Sequence, residues 1–235
     1  MNAKSAKFSG LSGNQLKIIA LVAMTADHIG VQLLPQFTIF RIIGRLAFPI
    51  FAFMIAEGCR YTKNRRKYLL SMAGLALACQ IVYFVSMQSL YQCVIVSFTL
   101  AICMIYVLDN ALKRKNVLSW AVAAVAFSAV LFICQVLPRL LTDMNFNIDY
   151  GIWGILLPVF IYLGDTKKQQ LCLAGADMLF LCMTMQGIQW YSFAALLLLA
   201  LYSGKRGKLK MKYLFYVYYP LHLAAIYGIS MICDL

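Results

Sequence analysis

The chain has 235 residues, of which 63% are hydrophobic and 12% charged, with a formal net charge of +13 and a mean hydropathy of +0.79. Soluble domains carry about 25% charged residues, so this composition excludes an ordinary soluble domain and implies one integral membrane domain over residues 1–235. The basic residues sit in short stretches between apolar runs, which marks membrane topology and not a nucleic-acid surface.

Nine apolar segments follow one another, at 16–34, 41–60, 67–86, 92–109, 117–138, 150–164, 170–186, 188–203 and 213–233. A crossing takes about 20 apolar residues, and every backbone group in lipid must be satisfied within the protein. The expected fold is therefore an all-α, polytopic transmembrane bundle of about nine spans. The sixth to eighth segments are short, and 170–186 and 188–203, separated almost only by "GIQ", also fit a tilted or partly re-entrant pair. The first run is too long for a cleavable signal, contains Asp27 and His28, and lacks a small-x-small cleavage site.

Positive charge orders the segments. Lys4, Lys7 and Lys17 precede or open the first span. Arg60, Lys63, Arg65, Arg66 and Lys67 fill the second connection, and Lys113, Arg114 and Lys115 the fourth. Lys167 and Lys168 fill the sixth, and Lys205, Arg206, Lys208, Lys210 and Lys212 the eighth. Alternate connections hold only Arg41 and Arg139, and Arg45 falls inside a span. The positive-inside rule then places the N-terminus in the cytoplasm and, with nine spans, the terminal "CDL" outside. Gly74, Ala76 and Ala78, and Ala174, Gly175 and Ala176, are small residues that let helices approach closely. No internal repeat relates the halves. The eight cysteines form no CxxC and accompany no His cluster, so they read as small apolar helix residues and not as a metal site. An occasional disulfide between outward ends, such as Cys93 with Cys233, fits the topology, but nothing in the sequence supports one.

Six ionisable residues remain at membrane depth: Asp27, His28, Arg45, Glu57, Asp177 and His222. An acidic residue at a helix centre costs about 2.5–3.5 kcal/mol on insertion scales, so each needs a partner or a function. Asp27 and His28 are consecutive and point about 100° apart on a helix, so each meets a different neighbour. Arg45 enters the second span from outside at a similar depth, which makes an Asp27–Arg45 ion pair geometrically reasonable and Asp27 mainly structural. His28 then faces either a cavity, as a general base, or a neighbouring helix to which it hydrogen-bonds. In "KYLFYVYYPLHLAAIY", Tyr218 and Tyr219 lie one turn before His222, beside the helix-bending Pro220. These residues either line a cavity or satisfy one another. Arg41 stands four residues before Arg45, and Glu57 is placed to pair with the cations of 60–67. The basic connections suit anionic lipid headgroups, and a minority of them, here Arg60 and Lys63, suit the phosphates of a nucleotide-like cofactor.

"LSGNQLKIIALVAMTADHIG", "IFRIIGRLAFPIFAFMIAEGCRYTKNRRKYL", "YGIWGILL" and "LYSGKRGKLKMKYLFYVYYPLHL" together resemble the TraX family, with "DHIG", "GRLAFPIFAF" and "YYPLHL" its most distinctive runs. The resemblance weakens over about 85–148 and 165–190. It implies a protein of the inner (cytoplasmic) membrane associated with conjugative transfer and with acetylation of the pilin N-terminus from acetyl-CoA. The family is also akin to membrane acyltransferases that carry acyl groups from cytoplasmic acyl-CoA to acceptors on the outer side and use an intramembrane His. On that basis His28 is the expected catalytic residue, with Asp27 and Arg45, and His222 is a second candidate. Arg41, Tyr218, Tyr219, His222, Arg60 and Lys63 form the expected substrate- and cofactor-binding set. The acceptor implied is a peptide, a pilin or a glycan, and no metal is involved. A covalent acetyl-His step stays open beside direct transfer.

The rival from another class is a proton- or cation-coupled transporter, in which Asp27, Glu57, Asp177 and His222 relay charge. A scaffold whose buried charges only fix helix register is a third reading.

Overall fold

The computed structural model describes residues 10–207 and 212–233; Lys4, Lys7, Lys208, Lys210 and the last two residues of "CDL" lie outside the described residues. Helix α1 (Gly13–Gln32) opens on a capping box, in which the Ser12 hydroxyl accepts from the Gln15 N–H and the Gln15 side chain reaches back to the Ser12 N–H. It is followed by α2 (Thr38–Gly44), α3 (Ala47–Tyr61), α4 (Arg65–Met87), α5 (Val94–Arg114) and α6 (Val117–Leu131). A π turn at Phe132–Val136 carries α6 into α7 (Leu137–Leu140). Then come α8 (Gly151–Leu163), α9 (Lys167–Met185), a 3-10 stretch Gly187–Phe193 leading into α10 (Ala194–Ala200), and α11 (Lys212–Ile232). Side-chain caps explain the starts: Asn64, Asn116 and Thr166 each accept from a backbone N–H three residues on.

All nine apolar runs are thus helical among the described residues, and the chain is all-α apart from two short strands, β1 (Tyr91–Gln92) and β2 (Asn147–Ile148), which pair in parallel. Among the described residues, four stretches, Thr38–Tyr61, Arg65–Val85, Val94–Arg114 and Val117–Leu140, are long and apolar enough to cross a membrane. By that measure this is a multi-pass membrane protein. The shorter apolar helices are Gly151–Leu163, Gly187–Ala200 and Val217–Ile232. The 13 residues of α8 extend about 20 Å at 1.5 Å per residue, short of about 30 Å of hydrocarbon.

Three expectations need correction. The run 41–60 is not one uninterrupted helix, because Arg45 and Leu46 form a turn between α2 and α3. In a continuous helix Pro49 would face the Arg45 carbonyl without an N–H to give it, and its ring would crowd that oxygen; restarting at Ala47 puts Pro49 in a first turn, where it is tolerated. The run 92–109 extends to Arg114, so Asp109, Lys113 and Arg114 are helical. Close approach at Gly74 is absent: the residue is exposed, with no atom within 4 Å of where a Cβ would stand. Ala76 and Ala174 do face the interior, whereas Ala78 and Ala176 are exposed. No disulfide forms among the described residues, and Cys93 and Cys233 keep their thiols.

The chain forms two compact units, one of the described residues up to Phe51 with those from Tyr191 onward, the other Ala52–Trp190. In the first, α1 packs on α2 and α11. The N–H groups of Gly13 and Asn14, which a helix start leaves without partners, donate to the carbonyls of Lys205 (2.8 Å) and Arg206 (3.0 Å). Leu16, Ala20, Ile50, Ala195 and Leu199 are fully buried there. The close approach lies between α1 and α2: a Cβ on Gly30 would stand 2.7 Å from Phe40 Cβ, and one on Gly44 would overlap the Asp27 carboxyl.

In the second unit α5 packs on α4, α6 and α8, and α8 on α9, around Phe53, Ile102, Ile105, Ile155, Leu157, Met178 and Leu181. The β1–β2 pair closes one end. At the other, Asp109 accepts from Arg65 Nη1 (2.6 Å), Lys113 Nζ (2.8 Å) and Tyr162 OH (3.0 Å). Arg60 Nη2 donates to the Tyr162 and Gly164 carbonyls, both at 2.8 Å, and so places a cation on the C-terminus of α8. Arg60 also pairs with Glu57 at 3.7 Å. Three basic connections therefore begin or end at one end of this unit.

The glycines give a direct test of the α1–α2 packing. Gly44→Ala is expected to destabilise by about 1–3 kcal/mol through overpacking, whereas Gly74→Ala, on an exposed helix face, is expected to be neutral or to stabilise by up to about 1 kcal/mol. Thermal unfolding of the two variants in the same detergent checks both.

Candidate functional site

The first unit assembles the polar residues of α1, α2 and α11. One group is ionic. Asp27, on α1, accepts from Arg45 Nη2 at 2.6 Å through Oδ1 and from Arg41 Nη1 at 3.2 Å through Oδ2. Arg41 lies on α2 and Arg45 caps its end, so their separation of four residues puts both guanidiniums on one side of the helix. Arg45 Nε also donates to the Arg41 carbonyl (3.3 Å), and the Arg45 side chain is only 9% exposed. These three side chains together bring two cations to one carboxylate. Gly44 makes this possible, because any side chain there would occupy the volume of the Asp27 carboxyl.

The second group is neutral and aromatic. His28 Nδ1 stands 2.8 Å from His222 Nε2, with the rings inclined by 29°. His222 Nδ1 lies 2.8 Å from the Tyr218 carbonyl, one turn back on α11. The Tyr218 ring lies nearly parallel to His222 (13°, centroids 5.1 Å apart), and the Tyr219 ring meets it edge-on (71°, 5.6 Å). Thr25 Oγ1 donates to the Leu21 carbonyl (2.9 Å), so the Tyr218 hydroxyl is the donor in its 2.6 Å contact with Thr25. Gln32 Nε2 donates to Ser230 Oγ at 3.2 Å. The contacts Thr25–Tyr218, His28–His222 and Gln32–Ser230 advance together along both helices, so α1 and α11 run parallel. His222 and Tyr219 are buried, and His28 is half-buried. Among the described residues, Nε2 of His28 has no hydrogen-bond partner.

Asp27, Arg41 and Arg45 are thus brought together, and so are His28, Tyr218, Tyr219 and His222. Consecutive positions in α1 aim Asp27 at α2 and His28 at α11. Arg60 and Lys63 belong to the second unit, where Arg60 makes the carbonyl contacts described above and Lys63 is exposed in the turn before α4. The direct His28–His222 contact, Arg41 as a second partner of Asp27, and the roles of Thr25, Gln32 and Ser230 were not anticipated from the sequence. One signal was available: Thr25 stands three residues before His28 and Tyr218 four before His222, so each helix offers a hydroxyl and an imidazole on one face. Among the described residues no group of three or more His, Cys, Asp or Glu side chains is placed to hold a metal ion. Replacing Asp27 by Asn is expected to cost toward the lower end of the about 3–5 kcal/mol typical of a broken buried pair. Adding Arg45→Met should recover part of that loss, a non-additivity that denaturation of the two single variants and the double variant would measure.

The TraX protein family matches residues 12–230. A probable fimbrial assembly protein FimC, serogroup H1, of Dichelobacter nodosus is 25% identical over 249 residues, covering 94% of this chain and 96% of that one. An uncharacterised protein of Rickettsia prowazekii (strain Madrid E) is 30% identical over 156 residues, covering 66% of this chain and 57% of that one. No solved structure matches at a significant level. With the matched stretch running from the cap of α1 to the last turns of α11, and so taking in both halves of the His28 site, the chain belongs to the TraX protein family.

Proposed function

We propose that this protein is an integral membrane acyltransferase, which moves an acetyl group from acetyl-CoA to an acceptor at the membrane or its outer face. The observation that carries the reading is an imidazole whose Nε2 has no hydrogen-bond partner among the described residues, one position along α1 from the carboxylate that gathers two guanidiniums. Bound acyl-CoA would supply a thioester carbonyl, an electrophile whose oxygen gains negative charge on attack. Arg45 and Arg41 suit that charge, because Asp27 neutralises one guanidinium and orients both. His28 takes the N–H or O–H proton of the acceptor as its lone pair bonds to the acyl carbon. The carbon–sulfur bond then breaks, and His28 returns the proton to the leaving sulfur. His222 meets that imidazole, the Tyr218 and Tyr219 rings pack on His222, and the three are assigned to substrate positioning.

Family membership and the fimbrial assembly relative favour a pilin N-terminus as acceptor, with other peptides or a glycan open to the same chemistry. We further propose nine spans in the inner membrane with a cytoplasmic N-terminus. The parallel course of α1 and α11 supports an odd number of spans, since helices that cross in one direction are separated by an odd number of crossings.

The test uses protein in nanodiscs with acetyl-CoA labelled in its acetyl group and a peptide with a free N-terminus. Acetyl transfer is expected in the wild type, and His28→Ala should lower it by about 10²–10⁴-fold while leaving cofactor binding in place. A well-folded wild type that binds no acetyl-CoA would overturn the proposal.

One observation favours the second reading, a proton- or cation-coupled transporter. Asp177, on α9, is 1% exposed, and neither carboxyl oxygen has a hydrogen-bond partner among the described residues. In that case Asp177→Asn should abolish proton or cation uptake into proteoliposomes, whereas an acyltransferase should keep its transfer rate in this variant.

A further inference from the structure

Hydrogen bonds that run in one line determine where each proton sits, because every group in the line is either a donor or an acceptor. A carbonyl oxygen can only accept, so the 2.8 Å contact between the Tyr218 carbonyl and His222 Nδ1 requires the proton on Nδ1. A neutral imidazole carries one N–H, so His222 Nε2 holds a lone pair and accepts. Its partner at 2.8 Å, His28 Nδ1, must then be the donor. With the single N–H of His28 placed on Nδ1, the lone pair of that ring is on Nε2, the nitrogen that has no partner among the described residues.

We infer that His222 is a positioning residue, which holds His28 in the Nδ1–H tautomer and so makes Nε2 the atom that accepts the proton of the acyl acceptor. This deepens the acyltransferase reading and rests on it for its chemical purpose, though the tautomer itself does not depend on any substrate. The direction of the line comes from the helix backbone. His222 reaches back to a carbonyl of its own helix, so its tautomer is set without any group that titrates. The nearly parallel Tyr218 ring and the edge-on Tyr219 ring hold the His222 plane, and the 29° inclination keeps the His28 N–H directed at Nε2. When His28 becomes an imidazolium, its Nδ1–H keeps the same acceptor, so both protonation states use one geometry. This is the role that a carboxylate fills in a serine triad, where the wrong tautomer lowers turnover by about 10⁴-fold, carried out here by a second imidazole.

The chain contains two histidines, so uniform ring labelling with nitrogen-15 yields four ring signals, and His222→Gln leaves two. Solid-state NMR of the full chain in lipid bilayers is expected to show protonated Nδ1 and unprotonated Nε2 for both rings. His222→Gln keeps an acceptor near the Nε2 position and should preserve Nδ1–H on His28, whereas His222→Phe removes it and should release His28 to the Nε2–H form that free histidine favours. Acetyl transfer should fall by at least 10-fold more in His222→Phe than in His222→Gln. A wild-type spectrum with His28 protonated on Nε2, or with His222 doubly protonated, overturns the inference, and that spectrum decides even if His222→Phe does not fold. The expected tautomers in a protein without acetyl transfer would remove the acyltransferase reading alone, and Nε2–H on His28 in an active protein would remove the role of His222 alone.

Discussion

An ionised carboxylate within an apolar helix has to be surrounded by donors, and Asp27 meets that demand by drawing two guanidiniums onto α1. The consequences spread outward from the contact. Two cations reach one carboxylate only if the helix that bears them comes very close, so Gly30 and Gly44 stand at the α1–α2 crossing where a Cβ would intrude. With Asp27 committed to α2, the next residue is directed by the helical turn toward α11, and His28 meets His222. Placement of the imidazole pair is thus a by-product of neutralising a charge. The pair adds stability of its own, but its position along α1 is dictated by its neighbour.

The second unit contains a comparable knot with a different outcome. Asp109 also gathers two cations, Arg65 and Lys113, but its remaining oxygen is taken by the Tyr162 hydroxyl. The Arg60 side chain nearby is engaged by two carbonyls and Glu57. These groups join the ends of α3, α4, α5 and α8 where the basic connections meet. Around Asp27 the ratio of cations to carboxylate is the same, and the difference lies in the neighbour: the next residue of α1 is His28, whose Nε2 has no hydrogen-bond partner among the described residues. The two clusters share ingredients and differ in that neighbour, which is why chemistry is proposed at one and cohesion at the other.

Hydropathy alone located every helical run, because apolar length and flanking Lys and Arg are local properties. The break at Arg45–Leu46 was less visible. Pro49 signals a bend, but whether a helix kinks or restarts depends on the packing that the bend must serve. The Asp27–Arg45 pair could be anticipated from matching depth in consecutive segments, and Arg41 followed the same face without being counted as a partner. The fourth apolar run ends on Asp109 by hydropathy, since a window that stops at a charge cannot tell a helix terminus from its last two turns. The His28–His222 contact was hardest to see, because its two halves stand at opposite ends of the chain and only the parallel packing of the first and last helices brings them together.

That separation has a consequence for biosynthesis. His28 and His222 are 194 residues apart, and the contacts of Gly13 and Asn14 with residues 205 and 206 span a similar distance. At about 5–20 residues per second, a ribosome needs about 10–40 s after making His28 before it has made the partner imidazole. During that interval the His222 contact of α1 is still unformed, whereas Asp27 can already be neutralised by the arginines that follow it within 18 residues. The ion pair therefore closes early and locally and the imidazole pair last, so a nascent or truncated chain has its Asp27 charge balanced well before the His28 ring has been fixed.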